Sequence, residues 1–304
     1  MTRYFTFIGV TTGQSSIVKI FPRWRDELQL GDDVELRGED LPLHASANDY
    51  WAVVKRIKYE SDQVGALVTT HKIDLYNAAG SLFDQIDQLG RLCGEVSCIA
   101  RRGDRLLGWA KDPIAAGRAL DRLLAPGHFG RTGAEVLCLG SGGAGLAIGL
   151  CLLTRDDRPG RLTLTDRDAS RLRHADEILA TLGSDVTVEY VCNEDADALL
   201  GNLPPHSLVI NATGMGKDLP GSPISDDAKF PLGAVAWDLN YRGQLTFLRQ
   251  AHRQESEAVR PVDGWDYFIY GWTAVMEEVF ERPISENELE RLSDLATFAR
   301  PGVS

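Results

Sequence analysis

Val136-Leu137-Cys138-Leu139-Gly140-Ser141-Gly142-Gly143-Ala144-Gly145-Leu146-Ala147-Ile148 is the stretch that decides how this chain folds. Val136 to Leu139, bounded by Gly133 and Gly140, has the pattern of a short buried strand of a parallel sheet. Gly140-x-Gly142-x-x-Gly145 follows, and an apolar helical run continues through Leu153. Gly140 permits a tight turn, Gly142 lets backbone approach a pyrophosphate, and Gly145 lets the helix lie close on the strand. The N–H groups of Gly140, Ser141, Gly142, Gly143, Ala144 and Gly145, with the positive end of the helix, are therefore a candidate anion cradle.

A glycine turn alone is a weak signal, and its surroundings strengthen it. Leu162-Thr163-Leu164-Thr165 reads as a second strand that ends in Asp166, about 20 residues past the last glycine, where an acid meets a ribose 2′-hydroxyl. From there the chain reads strand 135–139, helix 143–153, strand 161–165, helix 168–182 and strand 186–191. Strands near 207–211 and 234–239 then end in Asn211-Ala212-Thr213-Gly214 and Asp238-Leu239-Asn240-Tyr241. Strands alternating with helices, joined by right-handed crossovers, predict a parallel sheet covered on both faces.

The strand–helix rhythm already exists before the glycine loop. Residues 3–9 read as a strand, 17–28 as an amphipathic helix despite Pro22, 34–36 as a short strand and 47–59 as a helix. Residues 65–69 read as a buried strand, helical pieces occupy 73–90, and 94–100 reads as another strand. Gly103-Asp104 joins that strand to Arg105–Trp109 in a hairpin. A helix follows Asp112-Pro113 and runs to Pro126-Gly127, and 265–282 and 285–297 close the chain as two helices.

Bulk properties narrow the function classes. The chain has 304 residues, 43% hydrophobic and 25% charged, enough for one large domain or two ordinary ones. Its 44 acids against 32 Lys and Arg give a net charge of −12, which disfavours nucleic acid or an anionic membrane as partner. Five cysteines without paired spacing read as reduced core residues of a cytoplasmic protein. The N-terminus lacks a signal-peptide pattern, and no apolar run is long enough to span a bilayer. Six scattered histidines indicate no metal site.

Chemistry is expected where strands and hairpins end. Lys72 follows the strand ending in Val68-Thr69, and Asp112 lies forty positions on, just after the hairpin. A lysine beside a carboxylate can protonate an oxygen that gains charge and recover the proton in the reverse reaction. Taken alone, Lys72 also reads as a surface lysine, and Asp112 as an N-cap ahead of Pro113. Spacing does not choose between these.

These residues together resemble the shikimate/quinate dehydrogenase family, nearly end to end and in order. Val68-Thr69-Thr70-His71-Lys72 is similar to the family segment that ends in its catalytic lysine. Gly94-Glu95-Val96-Ser97-Cys98-Ile99 and Gly108-Trp109-Ala110-Lys111-Asp112 are similar to the hairpin that leads to its catalytic aspartate. The glycine loop, Ile210-Asn211-Ala212-Thr213, Asp238-Leu239-Asn240-Tyr241 and Gly264-Trp265-Asp266-Tyr267-Phe268-Ile269 fall in family order. The resemblance implies that Lys72 and Asp112 form a catalytic pair.

The departures bear on substrate. The family's Ser-x-Ser is here a compressed Gln14-Ser15-Ser16, and its Asn-Val-Thr-x-Pro-His-Lys segment has lost the asparagine and one position. The substrate-binding asparagine of the hairpin is Ser97, the Asn-Thr-Asp triplet is Ala110-Lys111-Asp112, and the glutamine of the C-terminal helix falls at Gly271. Proton-transfer residues remain while hydroxyl-binding residues are replaced. A site that hydrogen-bonds a polyol discriminates by large factors, so shikimate is expected to be a poor substrate. Ser15, Ser16, Thr69, Thr70, Ser97 and Tyr241 are the substrate-binding candidates; loop residues in solvent, or a packed core tyrosine, are the plainer readings.

Thr165-Asp166-Arg167-Asp168-Ala169-Ser170-Arg171 overlies the family's Asn-Arg-Thr-x-x-Arg signature for a 2′-phosphate. Arg167 and Arg171 retain the means to pair with a phosphate. Asp166 and Asp168 would repel one, although Asp168 also reads as a helix N-cap. NAD is accordingly expected over NADP, held by the glycine loop, Asp166, Arg167, Arg171, Asn211, Ala212, Thr213 and Gly214.

The sequence thus predicts an α/β protein of two domains, an N-terminal α/β substrate domain plus a Rossmann-type doubly wound parallel sheet. The first comprises 1–112 with 264–304, the second 113–263, and a cleft between them is expected to hold the reacting groups. The expected function is an NAD(P)-dependent oxidoreductase acting on a cyclic hydroxy or keto acid, as monomer or homodimer, with hydride passing to or from a carbinol carbon. Two alternatives stay open: a catalytically silent metabolite sensor on the same fold, and a true quinate or shikimate dehydrogenase with rearranged contacts.

Overall fold

The computed structural model describes residues 1–43, 45–193, 195–217 and 219–301. The chain divides into two units, 1–112 with 269–304 and 113–268.

In the first unit β1 (Arg3–Gly9), β2 (Val34–Asp40), β3 (Gln63–Val68), β4 (Gln85–Ile86), β5 (Cys98–Arg102) and β6 (Arg105–Trp109) form one sheet in the order β2-β1-β3-β5-β6-β4. β1 pairs parallel to both neighbours, whereas β5 runs antiparallel to β3 and β6. Phe5, Ile8, Ala66 and Val68 on the central strands are all but inaccessible to water. One layer of the core packs Ile8 and Val68 with Val54 and Ile57 of helix Ala47–Tyr59, which opens on a capping box between Ser46 and Asp49. On β1, Phe5 and Phe7 meet the Trp272 ring edge-on at 5.9 and 4.9 Å. Trp24 Nε1 donates to the Leu292 carbonyl at 2.7 Å, tying the first helix of the unit to its last.

The strand expected over 94–100 begins only at Cys98. The N–H groups ahead of it are drawn to three different segments: Glu95 to the Gly90 carbonyl, Val96 to Lys72 and Ser97 to Trp109. Residues 94–97 therefore form a junction instead of a ladder. The helical pieces expected over 73–90 are present as Lys72–Ala79, a short turn at Gly80–Leu82 and Gln88–Cys93, with the two-residue β4 between them.

The second unit is a fully parallel sheet of β7 (Val136–Leu139), β8 (Arg161–Asp166), β9 (Thr187–Cys192), β10 (Leu208–Asn211), β11 (Val235–Asp238) and β12 (Arg260–Val262). Its order, β12-β11-β10-β7-β8-β9, is that of a doubly wound dinucleotide-binding sheet, with the reversal between β7 and β10. β7, β10 and β11 are buried along their whole length, as strands covered on both faces must be. Residues 264–268, expected with the first unit, lie in the second. A Cβ at Gly264 would sit 2.0 Å from the Leu239 carbonyl oxygen, and Tyr241 packs on Phe268 and Trp265 at 4.6 and 5.3 Å. The aromatic cluster holds this segment to the end of β11.

Candidate active site

The glycine loop makes the tight turn and the close helix packing that its spacing predicted. Gly140 has φ +105°, and a Cβ there would lie 2.8 Å from the backbone of Ala212 at the end of β10. A Cβ at Gly145 would lie 2.1 Å from the Gly140 carbonyl oxygen, so helix Gly143–Thr154 rests directly on the turn. At Gly142 the nearest heavy atom, on Arg171, is 3.9 Å from the same construction, which leaves space above the loop. That space is a cavity of about 510 Å³ at the sheet's switch point, lined among others by Gly140, Gly142, Asp166, Arg167, Arg171, Ala212 and Thr213.

Asp166 is fixed at the end of β8 by two backbone donors. Its Oδ2 accepts the Ser141 N–H at 3.0 Å and its Oδ1 the Asp168 N–H at 3.0 Å. Asp168 is exposed, and its carboxylate accepts the Ser170 N–H at 2.8 Å as the N-cap of helix Ala169–Leu179. The capping reading of Asp168 is therefore the one its geometry satisfies, and those hydrogen bonds hold its carboxyl below the usual carboxylate range. The Ser141 hydroxyl is buried, with no hydrogen-bond partner among the described residues. An oxygen-rich ligand over Gly142 would supply one, so the residues present fit a dinucleotide.

Asn211 and Asp238, both buried, support the opposite wall and hold the half-buried Thr213. Asn211 Nδ2 donates to Asp238 Oδ1 at 3.1 Å and to the Met215 carbonyl at 3.2 Å, while its Oδ1 accepts the Thr213 hydroxyl at 2.6 Å. Asn240 donates its backbone N–H to Asp238 at 3.0 Å and its side-chain amide to Met215 at 2.9 Å. Asn211 thus shapes the 212–215 turn from beneath, while Ala212 and Thr213 reach the cavity; Gly214 continues the turn with φ +74°. Burial, resisted by the donors Asn240 and Asn211, raises the Asp238 carboxyl to about 7.

In the first unit, Lys72 opens helix Lys72–Ala79 and Asp112 opens helix Asp112–Leu123. Their side chains form a short ion pair, Lys72 Nζ donating to Asp112 Oδ2, with 18% and 14% of each side chain exposed. The pair is sheltered yet reachable. Burial draws the Lys72 ammonium down, but Asp112 and Glu95 outweigh it and leave it above the usual lysine range. His71, just before it, is locked in the core: Nε2 donates to the Leu41 carbonyl at 3.1 Å, and Nδ1 lies in hydrogen-bond contact with the Tyr50 hydroxyl at 2.9 Å. The lysine's entry backbone is fixed by that ring.

Glu95 is a residue that sequence reasoning passed over. It is 1% exposed, and neither carboxylate oxygen has a hydrogen-bond partner among the described residues. Burial first, and then the Asp112 charge, raise its carboxyl to about 8, with Lys72 acting against them. The available signal was an acid set between Cys93, Val96, Cys98 and Ile99, where a strand would be apolar.

The remaining candidates are placed unevenly. The Ser97 hydroxyl accepts the Lys111 N–H at 2.7 Å and is 2% exposed, so it is engaged in structure. Lys111 in turn donates from Nζ to Glu278 Oε1 at 2.7 Å. Ser16 donates to the Ala299 carbonyl at 2.8 Å, whereas Ser15 is half-buried and Thr70 exposed. Thr69 donates to the Ile8 carbonyl at 3.2 Å. Tyr241 lies in the aromatic cluster of the second unit with 9% exposure. Among the described residues no group of His, Cys, Asp and Glu could hold a metal, and no helix is long and apolar enough to cross a membrane.

No protein-family model matches the sequence. Shikimate dehydrogenase (NADP(+)) of Streptococcus gordonii is 29% identical over 210 residues, 68% of this chain and 70% of that protein. The chain is a divergent relative of the shikimate/quinate dehydrogenases. Solved structures share its fold at lower identity. Quinate dehydrogenase from Corynebacterium glutamicum in complex with NAD superposes with a TM-score of 0.76 at 19% identity, over 98% of this chain and 99% of that one. The 5-ketofructose reductase of a Gluconobacter strain superposes with a TM-score of 0.70 at 20% identity, over 97% and 98%. The two-domain α/β fold of these dehydrogenases is therefore the fold of this chain.

Proposed function

We propose that the protein is an NAD(P)-dependent dehydrogenase that interconverts a secondary alcohol and a ketone on a cyclic hydroxy acid. The observation that carries the reading is the ion pair of Lys72 with Asp112 at the positions the resemblance implies. A bound nicotinamide dinucleotide supplies the hydride acceptor or donor. Lys72 holds the proton that a carbonyl oxygen takes up as it gains charge, and receives the alcohol's proton in the reverse direction. Asp112 keeps the ammonium oriented and charged, and its place at a helix start steadies its own negative charge. The glycine loop, the Ser141 hydroxyl, Asp166, Arg167 and Arg171 hold the dinucleotide.

The finer reading is that NAD is used over NADP and that shikimate is a poor substrate. Asp166, held facing the glycine loop, suits a ribose hydroxyl and opposes a phosphate dianion. Ser97, in the place of the family's asparagine, already spends its hydroxyl on Lys111 and has little to offer a polyol. A soluble, cytoplasmic protein acting on a small molecule, with neither nucleic acid nor membrane as partner, completes the reading; a monomer and a homodimer both accord with it. The test is a spectrophotometric screen of shikimate, quinate and other cyclic hydroxy and keto acids, with 5-ketofructose as a neutral ketone, with both dinucleotides. Turnover of a non-shikimate acid with NAD is expected. Dinucleotide and acid binding without turnover across the panel would replace the enzyme by a sensor.

A further inference from the structure

A third ionisable side chain, Glu95, acts on the Lys72–Asp112 pair. Glu95 is 1% exposed, and neither carboxylate oxygen has a hydrogen-bond partner among the described residues. Two hydrogen bonds hold its segment against the pair: the Val96 N–H donates to the carbonyl of Lys72, and the Ser97 hydroxyl accepts the N–H of Lys111, the residue before Asp112. An ionised carboxylate in such a place lacks the donors that normally compensate burial, so the neutral acid is the form the site accommodates.

We propose that Glu95 is a positioning residue of the proton-transfer site: a third titrating group whose protonation sets how tightly Lys72 holds its proton. The inference rests on the dehydrogenase reading for its consequence in turnover, and on this chain's own geometry for the titration itself. With Glu95 neutral, the site carries the Lys72 ammonium and the Asp112 carboxylate, and their charges cancel. With Glu95 ionised, a second negative charge faces Lys72, which then binds its proton more strongly and gives it up less readily to an alkoxide. The pH at which Glu95 ionises is thus an upper limit for rapid reduction.

The groups that act on Glu95, and those that act on its neighbour Cys93, come from several elements. Lys72 comes from the start of helix Lys72–Ala79, Asp112 from the start of helix Asp112–Leu123, and the Cys93 thiol from the end of helix Gln88–Cys93. Asp87 caps that last helix, its Oδ1 accepting the N–H groups of Gly90 and Ala110. Lys72 is the one cation among them. Burial, with Asp112 adding to it, raises the carboxyl to about 8, and burial followed by Glu95 and Asp112 raises the Cys93 thiol to about 12. Glu95 is therefore an acid that burial and a neighbouring carboxylate both drive toward its neutral form.

The test follows carboxyl and ammonium titrations by NMR in the full-length chain labelled with ¹³C at Glu Cδ and Lys Cε. The same samples then give the pH dependence of kcat and KM for whichever compound the substrate screen finds. The expected result is one glutamate titrating near pH 8 that is absent from Glu95→Gln, with the Lys72 titration moved to lower pH in that variant. In turnover, the alkaline fall of kcat for reduction moves in E95Q while KM stays within about twofold, and E95D restores a titrating limb. A glutamate set that titrates wholly in the ordinary carboxylate range would overturn the proposal. So would a Lys72 titration unchanged in E95Q. Should E95Q not fold, the wild-type and E95D titrations decide the matter. Failure of every compound in the screen would count against the dehydrogenase reading and leave the titration result standing. Turnover without a displaced glutamate would do the opposite.

Discussion

The hydroxyl of Ser97 accepts the backbone N–H of Lys111 at 2.7 Å, and this one bond fixes the residue immediately before Asp112. Lys111 is buried, so its N–H has no water to turn to. Ser97→Ala should therefore lower stability by about 1–3 kcal/mol, the usual cost of orphaning a buried donor. It should also lower kcat, because Asp112 loses its anchor. Urea denaturation of both proteins measures the first effect; equal midpoints would show that the bond carries no weight.

Lys72→Met and Asp112→Asn each remove one partner of the ion pair. Turnover should fall by about 100-fold or more in both, while the affinity for dinucleotide, whose candidate residues all lie in the second unit, stays within about threefold of wild type. Stopped-flow and fluorescence titration separate the two quantities. A parallel loss of dinucleotide binding would mean that the variants have disturbed the fold and not the chemistry.

Asp166 is the residue on which dinucleotide choice turns. Asp166→Ser should weaken NADH binding by about tenfold, a loss on the order of 1.4 kcal/mol, and should improve NADPH binding relative to NADH. Arg167 and Arg171 then face a phosphate without the opposing carboxylate. Competitive titration with both reduced dinucleotides reads the ratio, and an unchanged ratio removes Asp166 from the selectivity argument.

The buried carboxyl of Asp238 predicts a pH dependence of folding. Burial raises it to about 7, above the ordinary aspartate range, so the native state binds the proton more tightly than the unfolded chain does. Its contribution to stability is then fully present below about pH 4 and is lost as pH rises toward about 7, by up to about 1.4 kcal/mol per unit. The stability difference between wild type and Asp238→Asn, followed across that window, should fall with pH. A flat difference would show that Asp238 is ionised in both states.

Much of the second unit was legible because its signals are local. Gly140, Gly142 and Gly145 each answer a steric demand within one strand, turn and helix, and Val136–Leu139 is apolar throughout because both faces of β7 are covered. β12 was not legible. It is three residues long, contains Pro261, and lies at the sheet's edge, where a missing N–H is tolerated. In the first unit the strands β1, β2 and β3 were readable from hydrophobic pattern, but the junction at 94–97 was not. Its backbone bonds run to residues 72, 90 and 109, and no local periodicity records partners that distant. Glu95 was lost with it, since a charged residue in an apparent strand reads as a solvent-facing one until burial is known. Ser16 and Ser97 were expected to be offered to a substrate; their acceptor and donor, Ala299 and Lys111, become neighbours only in three dimensions.

The first unit is split in sequence, 1–112 and 269–304, around an uninterrupted second one. Trp24 reaches its acceptor at Leu292 and Ser16 reaches Ala299 only when the last tenth of the chain is present. During synthesis the inserted unit can thus complete its own hydrophobic interior first, while Phe5 and Phe7 wait for Trp272 to emerge. A polypeptide ending at residue 268 and released from the ribosome should accordingly protect residues 113–268 from protease and leave residues 1–112 open to cutting.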